Sequence, residues 1–180
     1  MSPLTGLKRD FRAAMNGIAS QRMREAGMPY HVIFGIELPR LKEILKEYPQ
    51  NRAFAQRLWH ENVRESRLSA ILLTPPEEYL AEVADIWVHE LKTAEEASLL
   101  AMTLVSGQRW ASDYAFRWVA SGEELPMICG LYTLCHMMRD RGMKLMPDSE
   151  AELRDHLSAI SPRASLALRK AAQSVAYCLE

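Results

Sequence analysis

Residues 32–73 read VIFGIELPRLKEILKEYPQNRAFAQRLWHENVRESRLSAILL. Leu38, Leu41, Ile44 and Leu45 recur at three- and four-residue steps, the spacing that collects apolar side chains on one face of a helix. That helix is entered near Pro39 and ended by Pro49. A second is expected over 51–62, with Phe54, Leu58 and Trp59 on one side, and a third over 64–73, carrying Leu68, Ile71 and Leu72. Thr74-Pro75-Pro76 must break the third, because proline lacks the amide and disfavours helix in the residue before it. Val32-Ile33-Phe34 is β-like but too short to start a sheet.

The same period extends in both directions. Toward the N-terminus, Leu4, Leu7, Phe11, Ala14, Met15 and Ile18 make one long amphipathic face, and Ser2 caps it ahead of Pro3. Toward the C-terminus, Tyr79, Leu80, Val83, Ile86, Trp87 and Leu91 form an apolar stripe. Thr93-Ala94-Glu95-Glu96 reads as a capping box: the Thr93 hydroxyl takes the Glu96 amide, and the Glu96 carboxylate reaches back to the Thr93 amide. The helix so opened runs to about Ser106, before Gly107. Trp110, Tyr114 and Trp118 sit four apart on the next, and Leu131, Leu134, Cys135 and Met138 line another. Ser149 with Glu152 reads as a second capping box. Ser161-Pro162 is expected to cap the last helix, burying Leu168, Ala171, Ala172, Val175, Ala176 and Leu179. Successive pairs begin near Asn51, Glu77 and Gln108, a loose period of roughly 25 to 30 residues that suits a helical solenoid. A globular bundle fits the periodicity nearly as well.

Composition bounds the function. A chain of 180 residues is one domain by default and long enough to bury a core without disulfides or metals. The net charge of −1 lacks the overall basic excess of proteins built to grip duplex phosphate. The charge is uneven: +4 over residues 1–52, −5 over 53–107 and 0 over 108–180. The Met1-Ser2-Pro3 start has no apolar core of a secretory signal, and no run of about 18 apolar residues exists to span a membrane. Cys129, Cys135 and Cys178 are odd in number and read as reduced core thiols of a cytoplasmic protein. His31, His60, His89, His136 and His156 make no i, i+4 zinc pair and no Cys-x-x-Cys is present, so no metal and no cofactor are expected. The tryptophans read as core residues, with Trp110, which opens its helix, the one whose exposure is in question.

Phe34-Gly35-Ile36, Pro39-Arg40-Leu41-Lys42, Leu58-Trp59, Arg64-Glu65 and Arg67-Leu68 with Ala70 and Leu72-Leu73 stand in the order and spacing of a known pattern. The chain resembles the DNA alkylation repair family, HEAT-like arrays that hydrolyse alkylated purines from DNA. The resemblance covers most of the chain after Tyr30. It implies an all-α fold: a HEAT-like right-handed superhelical array of antiparallel helix pairs, with residues 1–180 as a single repeat domain.

The family's chemistry builds positive charge on a sugar, which a nearby carboxylate stabilises while aromatic rings hold the lesion and an arginine grips phosphate. The resemblance maps these groups onto concave-face positions. A Ser-Trp-Asp-x-x-Asp helix start becomes Thr93-Ala94-Glu95-Glu96-Ala97-Ser98, so Ala94 replaces the ring and Ser98 the acid. The phosphate arginine, counted from Trp118 and Ser121, lands near Met127 and Ile128. The second ring, in a Lys-Ala-x-x-Trp segment, becomes Ser174 of Lys170-Ala171-Ala172-Gln173-Ser174. The expectation is a protein without normal glycosylase chemistry, not an enzyme on balance, that acts as a binding scaffold. Glu95 offers a rescue, since it lies three residues before Ser98 on nearly the same face; it also fits a first-turn acid facing the helix dipole. Arg109, Arg117, Arg139, Arg141, Lys144, Arg169 and Lys170 are candidate nucleic-acid contacts, densest over 139–144. There they fit phosphate binding or C-terminal-turn cations equally. The expected partner is a protein or a nucleic acid, duplex DNA included, with the oligomeric state open.

Overall fold

A computed structural model describes residues 2–180. Among these residues there are eleven α-helices and no strand; Val32 makes one isolated parallel bridge with Val63. The chain divides into two compact units, Met1–Glu78 and Tyr79–Glu180.

The first unit holds α1 (Pro3–Ala13), α2 (Gly17–Glu25), α3 (Leu38–Leu45), α4 (Arg52–Trp59) and α5 (Arg64–Leu73). Ser2 caps α1 as its sequence predicts, its hydroxyl accepting from the Thr5 amide at 3.3 Å. The single long N-terminal face does not form. Asn16 interrupts it, donating its amide to the Phe34 carbonyl at 3.0 Å and capping α2 by accepting from the Ala19 amide at 3.1 Å. Leu7 and Phe11 are buried, whereas Met15 and Ile18 are 57% and 69% exposed. The helix ends because a local side-chain cap and a long-range backbone bond together outweigh the periodicity.

The motif-rich stretch forms a buried polar lock. The Glu65 carboxylate accepts from the amides of Phe34 (3.0 Å), Gly35 (3.0 Å) and Ile36 (3.2 Å), and the Arg64 guanidinium pairs with it at 2.8 Å while donating to the Ile36 carbonyl at 2.9 Å. Both side chains are almost wholly buried, at 2% and 0% exposure. Arg67 lies 3.7 Å over the Trp59 ring and donates to the Trp59 carbonyl. From the other side, the Ser20 hydroxyl donates to the Ile33 carbonyl at 2.6 Å. Gly35 has φ +74°, and a Cβ there would sit 2.5 Å from both the Asn16 carbonyl oxygen and the Ser20 amide. Glycine is the residue that admits both the conformation and the close approach.

The second unit contains α6 (Ala81–His89), α7 (Ala94–Leu100), α8 (Ala111–Ala120), α9 (Glu124–Arg141), α10 (Pro147–Ala159) and α11 (Leu166–Cys178). Its centre is α9, which packs against α6, α7, α8 and α11. Apolar residues therefore surround it: Ile128, Cys129, Leu131, Leu134 and Cys135 are all buried. A Cβ on Gly130 would meet the Ala115 carbonyl oxygen at 2.6 Å, so the glycine sets how closely α8 and α9 approach. α7 continues into a π-helical segment, Ala101–Val105.

The structure departs from the sequence expectations at three other places. Met146 caps α10, with Pro147 in the first turn, so Ser149 lies inside the helix and no capping box forms. Ser165 caps α11, its hydroxyl accepting from the Leu168 amide at 3.1 Å, and Ser161 sits in the preceding turn. Of the apolar positions on α11, Leu168, Ala171 and Val175 are buried while Ala176 is exposed, and Ile86 of α6 is 58% exposed.

Candidate functional site

All the positions that the resemblance maps to chemistry lie in the second unit, and they begin at the start of α7. Thr93 caps this helix as its sequence predicts, its hydroxyl accepting from the Glu96 amide at 3.3 Å. The Glu96 carboxylate is fully buried and accepts from the amide of Lys92 at 2.9 Å, one residue upstream of the expected partner. Burial and this bond commit the Glu96 charge to the turn. Ala97, Leu99 and Leu100 point into the core, leaving Ala94, Glu95 and Ser98 half-buried. Ala94 and Ser98 are one turn apart on one face, and that face carries a methyl and a hydroxyl. Glu95 brings the nearby carboxylate, in the first turn where the helix dipole favours an acid.

The remaining mapped positions do not join this face into a cluster of reactive groups. Ile128 is 0% exposed in the core of α9. Ser174 is half-buried on α11, where its hydroxyl donates to the Lys170 carbonyl at 2.9 Å and its carbonyl accepts from the Cys135 thiol at 3.6 Å. Trp118 is core: its indole N–H donates to the Asp85 carboxylate at 2.8 Å. Ser121 donates to the Trp118 carbonyl and accepts from the Glu123 amide, closing the end of α8. Asp85 carries no motif; the one clue to it in the sequence is that a buried indole needs an acceptor.

The basic candidates fall into distinct settings. Trp110, Tyr114 and Arg117 form a row on α8: the two rings are 5.4 Å apart edge to face, and the exposed guanidinium lies 4.6 Å over Tyr114. The Arg141 side chain lies against Gly107, where a Cβ would be 2.8 Å from its Nη2, so the end of α9 meets the turn that carries the exposed Arg109. Arg139 is held by Asp140 through Nε at 2.7 Å and Nη2 at 3.2 Å. The Arg139 bond, followed by one from His136 at 2.7 Å, keeps the Asp140 carboxyl far below its ordinary range. Of the densest basic run, then, Arg139 is already neutralised by a neighbour, while Arg141 and Lys144 are exposed beyond it. Arg169 and Lys170 are exposed on α11. Among the described residues, no group of three or more His, Cys, Asp and Glu side chains is placed to hold a metal ion.

The family model of the DNA alkylation repair enzymes matches residues 7–164. The chain belongs to this family. A solved structure, described as a new family of proteins related to the HEAT-like repeat DNA glycosylases with affinity for branched DNA structures, superposes with a TM-score of 0.78. It is 18% identical, and the match covers 97% of this chain and 74% of that one. At this identity the likeness establishes the fold: this family member is an all-α, HEAT-like repeat protein. No curated protein matches the chain. No helix among the described residues is long and apolar enough to cross a membrane.

Proposed function

We propose that this member of the DNA alkylation repair family is a DNA-binding scaffold that lacks normal glycosylase chemistry. The observation that carries the reading is the start of α7. There the resemblance maps the family's ring and acid onto Ala94 and Ser98, and the buried acid of the same turn, Glu96, accepts from the Lys92 amide. A hydroxyl at Ser98 does not supply the negative charge that stabilises positive charge growing on a sugar, a loss worth several kcal/mol in the barrier. The proposal treats residues 1–180 as one repeat domain working in the cytoplasm.

DNA is preferred over a protein as the ligand on two grounds. The family acts on DNA, and the structural relative is described as having affinity for branched DNA. Arg109, Arg117, Arg141, Lys144, Arg169 and Lys170 are all exposed in the second unit. Opposing them, that unit has ten Lys and Arg against fourteen Asp and Glu. Binding therefore rests on few phosphate contacts: with three or four, the affinity falls with salt along a log–log slope of about −3. Fluorescence anisotropy with duplex and four-way-junction DNA across a salt series tests this. Salt-dependent binding supports it, and absence of binding at low salt turns the reading toward a protein partner.

Glu95 supports a second reading, a glycosylase with an altered site, because a half-buried carboxylate lies three residues from Ser98. Release of methylated purine from treated DNA that is lost in Glu95→Gln distinguishes this reading from the first.

A further inference from the structure

Near the middle of the second unit's long helix α9, Cys135 meets Cys178 of α11. Their sulfurs are 3.5 Å apart, although the residues are 43 apart in sequence. Cys135 is buried and donates to the Ser174 carbonyl, whereas Cys178 is half-buried. The pair opens onto a depression of about 360 Å³ lined by Cys135, Met138, Arg139, Ser174, Tyr177 and Cys178. Neither thiol is one of the candidate positions above, although Arg139 and Ser174 beside them are, and core packing alone does not require two sulfurs in contact beside an open depression.

We propose that Cys135 and Cys178 form a reversible dithiol–disulfide site, oxidised by small peptide disulfides of the glutathione type, that ties α11 to α9. The more exposed Cys178 enters first: its thiolate attacks one sulfur of the peptide disulfide, forming a mixed disulfide and expelling one peptide thiolate. Cys135 then gives up its proton to water and attacks the Cys178 sulfur, expelling the peptide's other half as a second thiolate. Two protein thiols are oxidised to one disulfide, and one peptide disulfide is reduced to two thiols. The order of attack follows from burial, which, with the contact from Cys178, pushes the Cys135 thiol up to about 11 and leaves it a poor first nucleophile. The depression has room for the entering peptide, with the 66%-exposed Tyr177 on its rim. Cys129 is an internal control: it is fully buried and pushed up to about 12, so it stays reduced. Because Lys170, Ser174 and Cys178 follow at one-turn steps on α11, the bond also fixes the face that presents Lys170.

The test titrates the reduced, full-length protein with oxidised glutathione. The free thiol count is expected to fall from three to one per chain, with a mass loss of two hydrogens and a proteolytic fragment joining the Cys135 and Cys178 peptides. Cys129→Ser is expected to give the same link with no free thiol left. Four results overturn the site: three thiols remaining, a stable glutathione adduct on Cys178, links between chains, or a link that forms only as helical circular dichroism is lost.

Discussion

Two glutamates near helix starts, Glu65 in the first unit and Glu96 in the second, hold backbone amides over very different distances along the chain. Both carboxylates are fully buried and both accept backbone amides. Glu65 reaches across 29 to 31 residues to hold the 34–36 loop, and it pairs with Arg64. Glu96 accepts from the Lys92 amide, four residues away. Beside Glu65, Arg64 also reaches far along the chain, to the Ile36 carbonyl. Beside Glu96, Ala94 and Ser98 are half-buried. The residues that carry the family resemblance are thus largely those that hold the fold, while the positions proposed to have lost the family's chemistry are small, half-buried side chains on the surface of α7.

The sharpest way to break the comparison is to remove each carboxylate's neighbourhood in turn. Glu65→Ala leaves the Arg64 charge buried and three amides without their acceptor; a loss of about 3–5 kcal/mol is expected in urea unfolding. Gly35→Ala forces a Cβ against the backbone of Asn16 and Ser20 at positive φ, and is expected to cost at least about 2 kcal/mol in the same measurement. Ser98→Asp, on the half-buried face of α7, is expected to change stability by no more than about 0.5 kcal/mol. A Ser98 variant as damaging as the Glu65 variant would erase the distinction.

The smallest effect is electrostatic. Asp140 is held below its ordinary value of 3.8 by Arg139 and then His136. A carboxylate depressed in the folded state contributes stability above the unfolded value, and that contribution is lost as pH falls through the folded one. Asp140→Asn is therefore expected to leave the melting temperature unchanged near neutrality within about 1 °C, and to flatten its decline below pH 4 slightly, because the pair is solvent-exposed. A fall of many degrees at neutral pH would show that the 136–140 cluster is structural after all.

Much of the fold was legible because its signals are local. The Ser2 cap with Pro3, the Thr93 cap and the Thr74-Pro75-Pro76 break act within four residues, and α5 runs over the expected 64–73. Misses came where two local signals competed or a distant partner decided. Ser161 and Ser165 are both plausible caps, and Ser165 prevails as α11 begins at Leu166. Asn16 ends the first apolar stripe partly through the Phe34 carbonyl, 18 residues away. The roles of Glu65, Asp85 and the Cys135–Cys178 contact depend on partners 29 to 43 residues distant, which no period or motif announces. At the site, the Thr93 cap could be read, whereas the buried state of Glu96 and the neutralisation of Arg139 by Asp140 needed coordinates.

The central claim, binding without base excision, is tested most directly in one mixture. Methylated DNA carrying a four-way junction is incubated with the wild-type chain under conditions where anisotropy shows saturation, and the supernatant is assayed for free methylpurine beside an active family member. The account predicts a saturable, salt-sensitive complex with no base release above the protein-free rate. Catalytic release of methylpurine by the wild-type chain would contradict it.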